Sequence, residues 1–172
     1  PDDLAAQLLI AEQDFTQWLA VPETSRGGAG GAVILRVSAT CAGRPFKTIE
    51  KGDEILIRML VKAERPFDQA IFGYTIKDRL GMALFGENSL SSLDKLFRLE
   101  AGYSLIQFSL TWPEVLAQEY TLTLGMGEGD HPFHHVVQCW AHNVFSFSAV
   151  TSGNCIHGLF NNPLASLSVG PL

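Results

Sequence analysis

The clearest structural signal in the chain is the segment Ile71-Phe-Gly-Tyr-Thr-Ile-Lys-Asp-Arg-Leu-Gly-Met-Ala-Leu-Phe-Gly-Glu-Asn88. From Phe72 to Ile76 apolar residues alternate with smaller or polar ones, the period of two of a strand with one buried face. Asp78 to Gly81 predicts a tight turn, since glycine adopts a positive φ at little steric cost. Met82 to Phe85 predicts the returning strand. Because a hairpin is not stable alone in water, the pattern predicts further strands and a second layer.

The same β pattern continues along most of the chain, with turn signals between the segments and no helical pattern among them. The segments with strand character are Val33–Ala39, Glu54–Lys62, Tyr103–Thr111, Tyr120–Leu124 and a long one from about His134 to Val150, followed by a short pair near Ile156–Phe160 and Ala165–Val169. Short strands at such regular spacing indicate an antiparallel β-sandwich. The strand order cannot be read from the pattern.

Composition excludes several classes of function. The chain has 172 residues, 47% of them apolar and 17% charged, which suits a substantial core and argues against disorder. Its net charge is −6 and it has no run of Lys or Arg, so we expect no nucleic-acid partner. No segment is apolar enough to span a bilayer and no secretory signal is visible. Because the chain begins at Pro1 without Met, we expect it to be part of a longer protein.

The N-terminal residues 1–29 are predicted to form a helical connector and a linker, before a sandwich domain at 30–172. Asp2 or Asp3 is placed to cap a helix whose apolar stripe runs to Leu19, and Pro22 ends it. This helix packs either on the sandwich or on a domain upstream. The run Arg26-Gly-Gly-Ala-Gly-Gly31 lacks the Lys-Ser or Lys-Thr of a phosphate-binding loop, so a flexible linker is expected there.

Residues with reactive side chains form no catalytic pattern, so no enzyme activity, catalytic residue or cofactor is expected. Four histidines lie close together and invite a metal hypothesis: His131, His134, His135 and His142. On a strand, His134 and His142 share one face while His135 lies on the other, and no acidic pair completes a site. The cysteines are odd in number and far apart (Cys41, Cys139 and Cys155), which predicts reduced structural thiols in a cytoplasmic protein.

The segment from Val136 to Phe147 predicts a binding surface. If Phe145 and Phe147 face the core, three residues share their side: Val137, Cys139 and Ala141. Three others then form a row on the outer face: Gln138, Trp140 and His142. An exposed indole between amide and imidazole groups is a platform for a sugar ring, whose apolar face stacks on it. Alternatively, a bulge turns Trp140 into the core, or another strand or subunit covers it.

Four further residues occupy outward positions on their strands: Arg36, Arg58, Tyr103 and Gln107. If these strands share a sheet with the Trp140 strand, the four extend the same polar and aromatic surface. Singly, each is more simply an ordinary solvated side chain.

Two motifs together resemble a known family. They are Phe72-Gly-Tyr-Thr-Ile-Lys-Asp…Leu84-Phe85-Gly-x-Asn88 and His135-x4-Trp140-x-His142-x-x-Phe145-x-Phe147, supported by Gly30-Gly-Ala-x-Ile34, Lys51-Gly-Asp53 and Glu119-Tyr-Thr-Leu-Thr-Leu124. With the glycine run before them, they resemble the C-terminal domain of the ATP-binding subunit of O-antigen polysaccharide ABC transporters (the Wzt type). The resemblance covers about Gly30 to Val150.

The resemblance implies an all-β, immunoglobulin-like antiparallel β-sandwich of jelly-roll or Greek-key type that binds the exported polysaccharide at its finished, often terminally modified, end. It implies a homodimer with an exchanged C-terminal strand, for which Ile156–Val169 is the candidate here. An upstream nucleotide-binding domain and a membrane transporter subunit would be further partners, placing the domain in the cytoplasm, peripheral to the inner membrane. Ligand contacts vary with the glycan in such proteins, so no binding residues are transferred.

The function predicted is a non-catalytic carbohydrate-binding module for O-antigen polysaccharide. Two alternatives remain. A large apolar outer patch without polar residues among it favours a protein-interaction or dimerisation sandwich. Two carboxyl groups facing each other across a cleft, roughly 5–10 Å apart, favour a small glycan hydrolase.

Overall fold

Strands dominate the part of the chain that the computed structural model describes, which is residues 18–151, 153, 156, 158–160 and 166. In chain order the elements are β1 (Leu19–Ala20), a 3-10 turn (Glu23–Ser25), β2 (Arg26–Gly27), β3 (Ala32–Cys41), β4 (Arg44–Pro45), β5 (Thr48–Glu50), β6 (Glu54–Ala63), β7 (Phe67–Asp78), β8 (Ala83–Asn88), α1 (Ser89–Leu93), β9 (Phe97–Leu99), β10 (Gly102–Thr111), β11 (Glu119–Glu128) and β12 (Val136–Val150). No helix in these described residues is long and apolar enough to cross a membrane.

The strands form two sheets that pack face to face. Sheet 1 has the order β1-β3-β6-β10, with β4 beside the end of β3. Sheet 2 has the order β2-β12-β11-β7-β8, with β5 added to β12 and β9 added to β7. All pairs are antiparallel except β5 with β12, which run parallel. The predicted antiparallel sandwich is therefore confirmed, and the sheet order adds what the pattern could not supply.

The core lies between the sheets and is built from alternate residues of each strand. β6 contributes Ile55, Ile57, Met59 and Val61, the side predicted to be buried. At one end of the core an aromatic cluster surrounds Trp112, whose ring centroid lies 5.3 Å from that of Phe147 and 5.9 Å from that of Tyr120. Burying side chains of this size contributes about 1.5–3 kcal/mol each, so this cluster is a principal source of stability.

The predicted hairpin is confirmed as β7 and β8. The carboxylate of Asp78 accepts hydrogen bonds from the N–H groups of Leu80 and Met82, both at 2.9 Å. Gly81 has a φ of 81°, the left-handed conformation that the turn requires. β8 ends at Asn88, whose side-chain oxygen accepts from the N–H groups of Leu90 and Ser91 and so caps the short helix α1.

The glycine run differs from the prediction, because it is bonded to the sandwich rather than free. Gly27 pairs with Trp140 on β12. The N–H of Ala29 donates to the Val137 carbonyl at 2.9 Å, and that of Gly30 donates to the Gln138 carbonyl at 3.0 Å. The expectation of a flexible linker is therefore wrong for this run, since its backbone donors are used by β12. The division of the chain between residues 29 and 30 stays a prediction.

Both ends of the chain carry predictions that the structure addresses only in part. The predicted helix falls on residues 1–17, outside the described residues, and Leu19 at its end is in β1, paired with Val37. Four of the five positions of the predicted strand Ile156–Phe160 are described, all but 157, and none of the four is in a strand, although the Leu159 carbonyl accepts from the Leu116 N–H at 2.9 Å. The prediction of a strand is therefore wrong for these four positions. Of the predicted strand Ala165–Val169 only position 166 is described.

Candidate functional site

The outer face of sheet 2 has a floor of bare backbone. Glycine occupies outward positions on three neighbouring strands: Gly86 on β8, Gly73 on β7, and Gly125 and Gly127 on β11. Gly73 pairs directly with Gly125, so two of these positions are adjacent across the sheet. Because glycine has no side chain, the centre of this face lies lower than its margins.

Larger side chains surround this floor and turn it into an open groove of about 680 Å³, which we call the glycine groove. On the β12 side stand Trp140, His135 and Val137, and the loop before β12 adds Pro132 and Phe133. On the far side the margin is formed by β8 and by Asn88. The groove therefore combines aromatic rings, an imidazole and an amide around exposed backbone, which is the mixture that sugar rings require.

Trp140 lies directly over the glycine floor. A Cβ placed on Gly125 would stand 2.5–2.6 Å from the six-membered ring of the indole, closer than atoms approach. Only glycine at position 125 lets the indole ring lie this close to the backbone of β11. The His142 ring stacks near the indole, with 5.7 Å between centroids and 22° between planes. Burial and the charge of Lys77 lower the pKa of His142, so this imidazole favours its neutral form.

A bulge in β12 explains why Trp140 faces outward as predicted. Leu124 pairs with Ala141 and Leu122 pairs with Phe145, so three residues of β12 oppose one of β11. Asn143, in this bulge, has a φ of 50° and donates its backbone N–H to Thr123 Oγ1 at 3.2 Å. The two extra residues equal one full strand period, so the inner and outer faces are the same before and after the bulge. The alternative that places Trp140 in the core is therefore wrong.

A second irregularity overturns two other face assignments. Met126 pairs with Cys139 and Gly127 pairs with Val137, which leaves Gln138 as a single extra residue. A single extra residue exchanges the two faces, so Val137, expected in the core, lines the groove. Gln138, expected in the outer row, is only 5% exposed. Its Nε2 donates to Glu128 Oε2 at 3.1 Å, and it packs under Gly31.

The four additional candidates lie on the other sheet. Arg58 donates through Nε to Gln107 Oε1 at 3.1 Å, between β6 and β10. Tyr103 lies on β10 beside Lys62, whose Nζ stands 5.9 Å from the ring centroid. Arg36 is on β3, also in sheet 1. Their strands do not share a sheet with β12, so the expected single surface of seven residues is wrong: Trp140 and His142 lie on sheet 2 and these four on sheet 1.

Sequence reasoning missed the floor and one margin of the groove. The predicted strand ends at Leu124, whereas β11 continues to Glu128 and includes Gly125 and Gly127. Two glycines spaced by two on a strand leave one face bare. Phe133 was not singled out, although it is 80% exposed. An aromatic residue between Pro132 and the histidines was the available signal.

The loop before β12 is held by its histidines. His131 Nδ1 accepts the backbone N–H groups of Phe133 and His134, both at 3.2 Å. His135 Nδ1 lies 3.1 Å from the His131 carbonyl, so this nitrogen donates. The rings of His131 and His134 stack with 4.6 Å between centroids. His134 precedes β12 rather than lying in it, and none of the described residues forms a group of three or more side chains placed to bind a metal.

A second cleft of about 360 Å³ opens on the other side of the hairpin, between β8 and β10, which is the edge strand of sheet 1 among the described residues. Its floor includes Tyr74, whose ring stacks on Phe108 at 5.9 Å. Burial and the nearby Glu87 carboxylate raise the pKa of Tyr74. Among the described residues, Glu87 is the one carboxylate that lines either cleft.

The two cysteine side chains among the described residues are buried. Cys41 and Cys139 are unpaired, and burial raises the pKa of the first to about 11 and of the second to about 12. Thiols with such values stay protonated and are poor nucleophiles near neutral pH. Cys155 lies outside the described residues.

Comparison with known proteins identifies the family. The model of the Wzt C-terminal domain matches residues 23–161. This chain belongs to the Wzt C-terminal domain family. Among solved structures, the crystal structure of the C-terminal domain of wzt is similar, with a TM-score of 0.71, 22% identity, and coverage of 84% of this chain and 87% of that one. At this identity the likeness shows the fold alone, while the family resemblance drawn from the sequence motifs is confirmed. Comparison with curated protein sequences gave no significant match.

Proposed function

We propose that this Wzt C-terminal domain is a non-catalytic module that binds the terminally modified O-antigen polysaccharide in the glycine groove. Family membership is consistent with a role in O-antigen ABC transport. The observation that carries the proposal is the position of Trp140, an indole held at the surface over Gly125. Many aromatic residues elsewhere in the sandwich are in its core, whereas this one forms part of an open groove.

The chemistry of the groove suits a sugar ring. The apolar face of a pyranose stacks on an indole, and its hydroxyl groups bond to polar groups at the margin. Asn88 and His135 supply an amide and an imidazole there. The groove is wide and open, so binding is expected to be shallow and of modest affinity, with most of the free energy coming from stacking.

The cellular context is proposed from the family. An upstream nucleotide-binding domain in the same protein would supply ATP hydrolysis, and a membrane transporter subunit would receive the glycan. The domain would then be cytoplasmic and peripheral to the inner membrane. A homodimer formed by exchange of the C-terminal strand is part of the same proposal, with Ile156–Val169 as the exchanged segment.

The test is an NMR titration of the ¹⁵N-labelled domain with O-polysaccharide released from the lipopolysaccharide of the source strain. We expect saturable shifts in the groove, and at least a tenfold weaker Kd for Trp140→Ala, since stacking supplies most of the affinity. Tyr103→Ala is the matched control, because it removes an aromatic ring from the outer face of sheet 1. Equal loss in both variants, or no saturable binding by the unsubstituted domain, contradicts the proposal.

One observation favours protein interaction as a second candidate. Leu93 and Leu105 are 65% and 41% exposed, and both line the second cleft beside β10, which pairs only with β6 among the described residues. Exposed apolar residues next to an unpaired strand edge are typical of protein contacts. Sedimentation analysis of Leu105→Lys separates the candidates: a loss of self-association with unchanged glycan binding assigns this cleft to a protein contact and the groove to glycan.

A further inference from the structure

We propose that Phe133 is a second sugar-stacking residue of the glycine groove, and that His131 is the positioning residue that presents it. The inference rests on the proposed function, since it concerns the same groove. A bound sugar would then stack on two aromatic rings that lie on different elements: Trp140 on β12 and Phe133 on the loop before it.

The exposure of Phe133 is the first observation. At 80% it exceeds that of every other exposed large apolar residue in the described part of the chain, yet the ring lines the groove together with Trp140. A single exposed apolar side chain is ordinary by itself. Here, however, the Phe133 ring stands at the margin of the groove in which the Trp140 indole lies. A sugar bound in the groove would cover the Phe133 ring.

The support of the loop is the second observation. His131 Nδ1 accepts the N–H of Phe133 itself and that of His134. The loop is also tied to the end of β8, because Asn88 Nδ2 donates to the Pro132 carbonyl at 3.4 Å. A further hydrogen bond within the loop joins His135 Nδ1 to the His131 carbonyl. A ring on a loop held in this way loses little conformational freedom when a ligand arrives, so its contact contributes more to affinity.

The first experiment compares Phe133→Ala with Leu80→Ala in the NMR titration with O-polysaccharide at pH 7.5. Leu80 is the matched control, being 74% exposed in the hairpin turn, outside the groove. We expect a roughly three- to tenfold weaker Kd for Phe133→Ala, the range of a single aromatic contact, and no change for Leu80→Ala. If Trp140→Ala weakens binding while Phe133→Ala does not, the inference fails and the proposed function stands. If the unsubstituted domain does not bind, both fail.

The second experiment tests His131 by removal and rescue at the same pH. His131→Asn keeps an acceptor oxygen near the place of Nδ1, whereas His131→Ala removes the acceptor of the Phe133 and His134 N–H groups. We expect Kd to weaken roughly three- to tenfold for His131→Ala, as for Phe133→Ala, and to stay within about twofold for His131→Asn. Unchanged binding by His131→Ala, or a loss that His131→Asn does not rescue, overturns the positioning role. Folding is checked by the retained amide spectrum of the core strands.

Discussion

The outer faces of the two sheets differ in what their strands project. On sheet 1 long side chains contact one another across strands, as Arg58 does with Gln107 and Lys62 with Tyr103. On sheet 2 glycines remove the side chains from the centre, and the space so created is a groove. Both faces combine polar and aromatic residues, so composition alone does not separate them. A groove on the outer face of a sheet can thus be formed by removing side chains from its centre as well as by adding them at its margins.

The largest effect is expected from a side chain placed on the floor of the glycine groove. Gly125→Val places atoms where the Trp140 ring now lies. We expect glycan binding to be lost, and the free energy of unfolding to fall by about 1–3 kcal/mol through overpacking. Calorimetric titration and urea unfolding measure the two effects. Ser109→Val makes a similar addition on β10 of sheet 1 and should leave binding intact; binding retained by Gly125→Val contradicts a role for the bare floor.

A smaller effect is expected from Gln138→Ala, which distinguishes a buried hydrogen-bonding residue from a surface contact. Gln138 is buried and donates to Glu128. Removing it should cost about 1–3 kcal/mol of stability, since a buried polar network loses a partner. The Kd for glycan should change less than twofold. A large loss of affinity with unchanged thermal stability would instead indicate that Gln138 contacts the glycan.

The stability of the domain should also depend on pH through Glu128, the carboxylate that accepts from Gln138. The hydrogen bond from Arg65 lowers the pKa of Glu128. A carboxyl group whose folded pKa is depressed stabilises the fold above its unfolded pKa, and this contribution is lost as pH falls through the folded value. Thermal melts of the unsubstituted domain and of Glu128→Gln should therefore differ at pH 7 and converge towards pH 3. A constant difference across that range would exclude the ion pair as its source.

The smallest effect is expected on sheet 1. The double variant Arg58→Ala with Gln107→Ala removes a hydrogen-bonded pair from its outer face. We expect a loss of roughly 0–1 kcal/mol in stability, as for other exposed polar pairs, and glycan binding within twofold of the unsubstituted domain. The check is the same titration used for Trp140→Ala. Binding that falls tenfold here would move the site to sheet 1 and reverse the comparison.

The sequence was sufficient for features that depend on local periodicity. Alternation along Phe72–Ile76 predicted the hairpin, and the row containing Trp140 and His142 faced outward because the bulge at Asn143 adds a full strand period. Gln138 and Val137 were misplaced because a single extra residue exchanges the faces, and one residue leaves no trace in an apolar pattern. The sheet that holds Arg58 depends on pairing between distant strands, which periodicity does not encode.

The glycine floor also has a consequence for how such a domain diversifies. Its shape is kept by a few positions that tolerate only the smallest residue, while the chemistry that a ligand meets comes from the margins: the loop with Phe133, the end of β8, and Trp140. Substitutions in these margins leave the interior packing between the sheets untouched. The side chains at the margins can therefore change while the floor of the groove and the packing between the sheets stay the same.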